Sequence, residues 1–222
     1  MIEIAPSILS ADFAFLGEAI RSVGGETSWI HVDVMDGHFV PNLTIGAPVV
    51  ASIRKHSDSF LDCHLMITDP WDYFADFARA GANSVSFHFE VGRTLELVEM
   101  AHGLGMKAGM AVNPDASFDD YAKYVPEVDM LLIMSVFPGF AGQSFMEGVL
   151  EPLSRARKMI DESRCGTILQ IDGGISTDTI RLACRAGAEV FVAGSAVFGS
   201  ADPADAVRRL RSAAESALEE RS

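Results

Sequence analysis

Four residues whose side chains bind metals stand at the ends of apolar, β-branched runs: His31 and Asp33 in WIHVDVM, His64 in FLDCHLM and Asp172 in TILQID. Two imidazoles and two carboxylates suit one divalent cation, and zinc, manganese, cobalt and ferrous iron all accept that donor set. On a strand, His31 and Asp33 share one face while Val32 and Val34 take the other. Burying such a carboxylate without a partner is costly, and coordination to an ion would compensate it. By the same parity His64 faces inward, and Cys63 faces the opposite side as a core thiol. His88, at the end of SVSFHF, is read as a hydrogen-bonded core histidine and not as a ligand.

A second kind of chemistry is written in three glycine-rich segments, SVFPGFAGQSF, DGGIS and GSAVF, which follow the sixth, seventh and eighth apolar runs. None contains lysine or arginine. An anion held there would rest on main-chain donors from Gly173, Gly174, Gly194 and Ser195, with Gly142 available from the first segment. Gly139, Gly142 and Gln143 in PGFAGQ also suit a mobile lid that closes over substrate and excludes water.

These residues need elements to position them. Eight strand-like runs, IEIAPSIL, WIHVDVM, FLDCHLM, SVSFHF, KAGMAV, MLLIMS, TILQID and EVFVAG, alternate with amphipathic segments of helical period. Most runs are continuously apolar, as parallel strands covered on both faces are. Asp69–Pro70, Ser176 and Asp202–Pro203 mark helix starts. The tetrapeptide RAGA occurs at residues 79–82 and 185–188, each time closing a helix with a glycine suited to the left-handed cap. No linker interrupts residues 1–222, so the expected architecture is α/β, a single (β/α)8 TIM barrel in one domain. A doubly wound sheet would carry a glycine fingerprint after its first strand, where this chain reads SILSADF. In a barrel the chemistry gathers at the C-terminal strand ends, where Ser7, His31, Asp33, His64 and Asp172 fall.

Composition excludes several function classes. The chain has 222 residues, is 49% hydrophobic and carries a net charge of −14, which argues against nucleic acid and anionic membranes as partners. Its longest apolar runs fall short of a membrane span, and three widely spaced cysteines suggest neither a disulfide framework nor a zinc knuckle. A cytoplasmic protein acting on a small molecule is expected.

Taken together, APSILSADF, HVDVMDGHFVPNLTIG, DCHLM, MSVFPGFAGQSF, DGGI and VAGSAVF resemble the ribulose-phosphate 3-epimerase family, in order from the first strand to the last helix. The resemblance implies metal ligands at His31, Asp33, His64 and Asp172, with Asp33 and Asp172 as the acid/base pair. It implies substrate contacts from Ser7, His64, Gly139, Phe140, Ala141, Gly142, Gln143, Asp172, Gly173, Gly174, Gly194 and Ser195. Met35, Met66 and Met134 match methionines that surround the reacting carbons. The sixth segment departs from the usual NPGFGGQ at Phe137 and Ala141.

The implied reaction is metal-dependent epimerisation at C3 of D-ribulose 5-phosphate to D-xylulose 5-phosphate, in the pentose phosphate pathway. Inversion needs two bases flanking a planar enediolate, and strands two and seven lie three steps apart in a ring of eight, which suits it. A sugar phosphate is the expected partner, and a homo-oligomer is compatible. A ketohexose (allulose) 6-phosphate 3-epimerase is the alternative of the same reaction class, although it tends to lack the second glycine of DGG, present here as Gly174. A non-catalytic sugar-phosphate-binding barrel is the alternative of another class, opposed by the retention of both carboxylates. An orotidine-phosphate decarboxylase-like barrel is set aside: its D-x-K-x-x-D would need lysine and aspartate where Met35 and His38 stand.

Overall fold

The structure, a computed structural model, describes residues 2–219. The strands are β1 (Glu3–Pro6), β2 (Trp29–Met35), β3 (Phe60–Met66), β4 (Ser84–His88), β5 (Lys107–Val112), β6 (Met130–Met134), β7 (Ile168–Asp172) and β8 (Val190–Ala193). All pair in parallel in the order β1-β8-β7-β6-β5-β4-β3-β2. The seam between β1 and β2 is drawn together by a parallel bridge of Ser7 to His31 and by the Thr27 hydroxyl, which donates to the Ile4 carbonyl at 2.6 Å. The expected barrel is therefore present.

Helices α1 (Leu16–Val23), α2 (Ala47–Arg54), α3 (Phe74–Ala80), α4 (Thr94–Gly103), α5 (Phe118–Tyr121), α6 (Leu150–Ser163), α7 (Thr179–Ala186), α8 (Ser195–Phe198) and α9 (Pro203–Glu219) surround it. Among the described residues, no helix is long and apolar enough to cross a membrane. Strand parity divides the apolar residues into two layers. Val32, Cys63, Leu65, Phe87, Ile133, Ile171 and Phe191 face outward into one core with Phe77, Leu97, Leu153, Ile180 and Leu210 of the helices. Inside, Trp29, Ile168 and Val190 fill the N-terminal end of the barrel below Ala5 and Val192, with Trp29 stacked on Phe60 at 4.2 Å. Above that plug the interior turns polar.

Some elements differ from the sequence expectation. The run IEIAPSIL stays extended only to Pro6, because the Ser7 hydroxyl accepts from Leu9 N and turns the chain into a 3-10 helix at Ile8–Ser10. Asp69–Pro70 opens a 3-10 turn, Pro70–Asp72, and α3 begins only at Phe74. Most of the glycine-containing segment GSAVF winds into the short helix α8, Ser195–Phe198. The two RAGA glycines cap α3 and α7 with φ of 89° and 112° and lead into β4 and β8, as expected.

Arg54 at the end of α2 ties this frame together. Its guanidinium donates to the carbonyls of Gly81, Ser57 and Ser59 at 3.0, 2.9 and 2.9 Å and to Asn83 Oδ1 at 2.6 Å, while Asn83 Oδ1 also accepts from Leu61 N. Lysine has no such fork. Arg54→Met is expected to lower stability by about 2 kcal/mol and the thermal midpoint by about 6 °C, read by calorimetry, while kcat stays near wild type.

Candidate metal centre and active site

The ends of β2, β3 and β7 bring His31, Asp33, His64 and Asp172 together, with one ligand atom from each lying within 4.8 Å of all the others. Both imidazoles and Asp33 are buried, and the Asp172 side chain is 18% exposed at the mouth. Asp62, wholly buried, explains how His31 is oriented. A carboxylate can only accept, and Asp62 takes bonds from His31 Nδ1 at 2.8 Å, Ser84 Oγ at 2.8 Å and Gln170 Nε2 at 2.7 Å. Nδ1 of His31 therefore carries the proton, and Nε2 faces the cluster, 3.3 Å from Asp33 Oδ1 and 4.0 Å from Asp172 Oδ2, with no hydrogen-bond partner. Asp33 Oδ1 lies 3.2 Å from His64 Nδ1, and its Oδ2 accepts from Ser7 Oγ at 2.5 Å. An orphaned buried nitrogen facing two carboxylates and a second imidazole fits a divalent cation.

The charge balance agrees. Burial opposes the His31 imidazolium, yet Asp33 and Asp62 overcome it and hold its pKa well above the usual value. Burial, followed by repulsion from Asp33, raises the Asp172 carboxyl to about 7. Burial also works to raise Asp33, but His31 and His64 outweigh it and keep Asp33 ionised. His64 is driven down to about 4, chiefly by burial, and stays neutral with a lone pair to offer. The centre is thus short of positive charge, which an ion would supply in place of protons.

Each acidic strand end is also fastened through its backbone. The Thr44 hydroxyl donates to the Asp33 carbonyl at 2.7 Å and accepts from Met35 N at 3.0 Å. Ser135 Oγ lies 2.8 Å from the Asp172 carbonyl and 2.6 Å from that of Gly173. Gly173 and Gly174 adopt φ of 119° and 57°, and a Cβ on them would come within 2.7 Å of Val136 Cγ2 and 2.5 Å of Phe145 N, so DGG lets this loop lie against the one after β6.

One cleft at the barrel mouth is lined by Ser7, Asp33, Met35, Met66, Met134, Gly139, Phe140, Ala141, Gly142, Gln143, Asp172, Gly173, Gly174, Gly194 and Ser195. Of the metal-ligand, acid/base, substrate-contact and methionine positions implied by the sequence, His31 and His64 alone lie off this wall, buried beneath it. Leu9, Ser10, Val136, Pro138, Ile175 and Val192 complete the lining and were not singled out in the sequence. Asp62, Thr44 and Ser135 were missed too. The DCH spacing of FLDCHLM, which puts Asp62 on the same strand face as His64, is the one signal that could have found Asp62.

The lid segment is braced by Gln143 Nε2, which donates to the carbonyls of Phe137 at 2.7 Å and Phe140 at 3.0 Å, and by Asn42 Nδ2, which donates to the Gly139 carbonyl at 2.9 Å. Phe137 meets Gln143 through its backbone and is 48% exposed away from the cleft lining, so this departure from the family pattern leaves the brace intact.

A family model described as "Ribulose-phosphate 3 epimerase family" matches residues 3–198. The chain is 51% identical over 211 residues to the ribulose-phosphate 3-epimerase of Mycobacterium leprae (strain TN), spanning 94% of this chain and 93% of the relative. It is 44% identical to the cytoplasmic isoform of that enzyme from Oryza sativa subsp. japonica (96% and 94% covered) and 43% identical to that of Bacillus subtilis (95% and 99%). Among solved structures it resembles KGPDC from Streptococcus mutans, with a TM-score of 0.75 at 15% identity, covering 97% of this chain and 98% of that one. Orotidine 5'-phosphate decarboxylase from Pyrococcus horikoshii OT3 is also similar, with a TM-score of 0.69 at 18% identity over 97% and 99% of the two chains. At these identities the two structures speak for the barrel alone.

Metal uptake should expel the protons that now balance this centre. Calorimetric titration of chelator-stripped protein with zinc, in buffers of different ionisation enthalpy, is expected to show at least roughly 0.8 more protons released per ion at pH 6 than at pH 8, as Asp172 deprotonates through about 7. Equal release at both pH values would contradict the charge balance.

Proposed function

The chain belongs to the ribulose-phosphate 3 epimerase family, and from that premise we propose that it interconverts D-ribulose 5-phosphate and D-xylulose 5-phosphate by two-base proton transfer at C3. The observation that carries this reading is the meeting of two carboxylates from β2 and β7, three steps apart around the barrel, in one cluster with two histidines. One carboxylate takes the C3 proton from one face of the sugar and the other returns a proton to the opposite face, with a planar enediolate between. A single base would only restore the starting centre.

The environments of the two acids differ in a way that suits the task. Asp172, raised to about 7, is a base matched to neutral pH, while Asp33 is held ionised by His31 and His64 and fixed by the Ser7 hydroxyl. We assign His31, Asp33, His64 and Asp172 as ligands of one divalent ion, with zinc, ferrous iron, manganese and cobalt all suited to them. When bound, that ion supplies the positive charge that makes the weakly acidic carbon easier to deprotonate, an effect worth several kcal/mol.

The remaining residues bind and enclose. Backbone N–H groups of Gly173, Gly174, Gly194 and Ser195 cradle the phosphate, in keeping with a lining that has no lysine or arginine. Residues Gly139 to Gln143 cover the sugar and exclude water, and Met35, Met66 and Met134 give the enediolate a polarisable, water-poor surround. The reading includes a cytoplasmic location, in keeping with the named rice isoform.

Asp172→Asn and Asp33→Asn are each expected to cut kcat by at least about 10³-fold with the circular dichroism spectrum unchanged, and to abolish incorporation of solvent deuterium at C3 in one direction. Either variant turning over near the wild-type rate would overturn the two-base assignment.

A further inference from the structure

His64 needs its Nδ1 bare if that atom is to face an ion beside Asp33, and nothing on the Asp33 side enforces this, since a carboxylate 3.2 Å away would accept a proton there as readily. The constraint comes from the other side of the ring. His64 Nε2 lies 2.9 Å from His88 Nε2, His88 Nδ1 lies 3.2 Å from Glu90 Oε2, and Glu90 Oε1 accepts from Asn113 N at 3.0 Å. Glu90 sits in the 3-10 turn Phe89–Val91 after β4, and Asn113 directly follows β5.

The hydrogen positions follow from the end of this chain, because an ionised carboxylate has no proton to give. Glu90 obliges His88 to carry its proton on Nδ1, which leaves His88 Nε2 as an acceptor. His64 must then donate from Nε2 and keep Nδ1 unprotonated. Both rings are fully buried, and Phe39 packs against the His88 ring at 4.7 Å, so neither can turn to escape the constraint. His31 is set by the same logic through Asp62, but with the opposite nitrogen left free.

We propose that His88, backed by Glu90, is a positioning residue that fixes the tautomer and orientation of His64 and so completes the ion site. This rests on the reading of His64 as a ligand. His88 thus has a task in the reaction without touching the substrate, lying off the cleft lining.

Glu90→Gln is the sharpest test, because it is nearly isosteric and the Glu90 side chain is 30% exposed. Asn113 N–H still claims the remaining oxygen, which turns the new amide NH2 toward His88 and reverses the relay. His88→Phe removes the acceptor, whereas His88→Gln retains one. Zinc affinity is measured by competition with a chromophoric chelator, and the His64 Nε2–H resonance is followed in 1H–15N spectra of the zinc-loaded proteins.

Glu90→Gln and His88→Phe are each expected to weaken zinc at least about tenfold and to lose the hydrogen-bonded N–H resonance, while His88→Gln stays close to wild type in both. Wild-type affinity and resonance in Glu90→Gln and His88→Phe would overturn the relay. So would equal loss in both His88 variants with Glu90→Gln unaffected. If the wild-type protein itself takes up no zinc, the ligand assignment fails before the relay does.

Discussion

Three carboxylates, Asp33, Asp62 and Asp172, lie inside or at the mouth of the barrel with no lysine or arginine on the cleft lining, and this concentration of negative charge is the constraint that the rest of the centre answers. Isolated, such charges would be expelled or neutralised. Here they are shared out: Asp62 is hydrogen-bonded by His31, Ser84 and Gln170, Asp33 accepts from Ser7 and lies beside the two imidazoles, and Asp172 is left to rise to about 7. The unfinished part of this balance, the unpartnered Nε2 of His31 beside Asp33 and Asp172, is the place for an ion.

Strand parity makes the arrangement compatible with a stable protein. Each polar residue on the inner face alternates with an apolar one on the outer face, as Val32, Cys63 and Ile171 do between polar neighbours, so the core under the helices is uninterrupted. The interior, too narrow to be a channel, is closed below by Trp29, Val190 and their neighbours and is polar only toward the mouth. The two acids that must approach one carbon from different sides come from β2 and β7, whose C-terminal ends are pinned by the Thr44 and Ser135 hydroxyls. Precision at the site is thus a property of the strand ends and of the loops braced against them.

Much of this was legible in the sequence. Continuous apolar runs gave parallel strands, the His31–Asp33 alternation placed polarity inside, and the RAGA glycines marked the caps before β4 and β8. The cluster of four candidate ligands followed from placing polar residues at strand ends, and the structure brings those residues together. What escaped were residues whose role depends on contact across the fold. Asp62 carried only its spacing from His64, and Thr44, Ser135 and the Asn42 brace carry no signal of their own, because a polar side chain on a strand or in a loop reads the same whether it faces water or a neighbouring strand end. His88 was rightly read as a hydrogen-bonded interior histidine, but its partners, His64 and Glu90, needed the register of β3 against β4 and the turn that follows to come into view. The end of the first strand at Pro6 escaped for a local reason, since the capping Ser7 hydroxyl outweighed the extended preference of an apolar run.

The account stands on one ion held among the four strand-end side chains, and anomalous diffraction from crystals of the chelator-stripped protein soaked in zinc tests it most directly. The expected result is a single anomalous peak about 2.0 to 2.2 Å from His31 Nε2, His64 Nδ1 and one oxygen each of Asp33 and Asp172. Zinc bound elsewhere, or no peak between those residues in a well-soaked crystal, would contradict it.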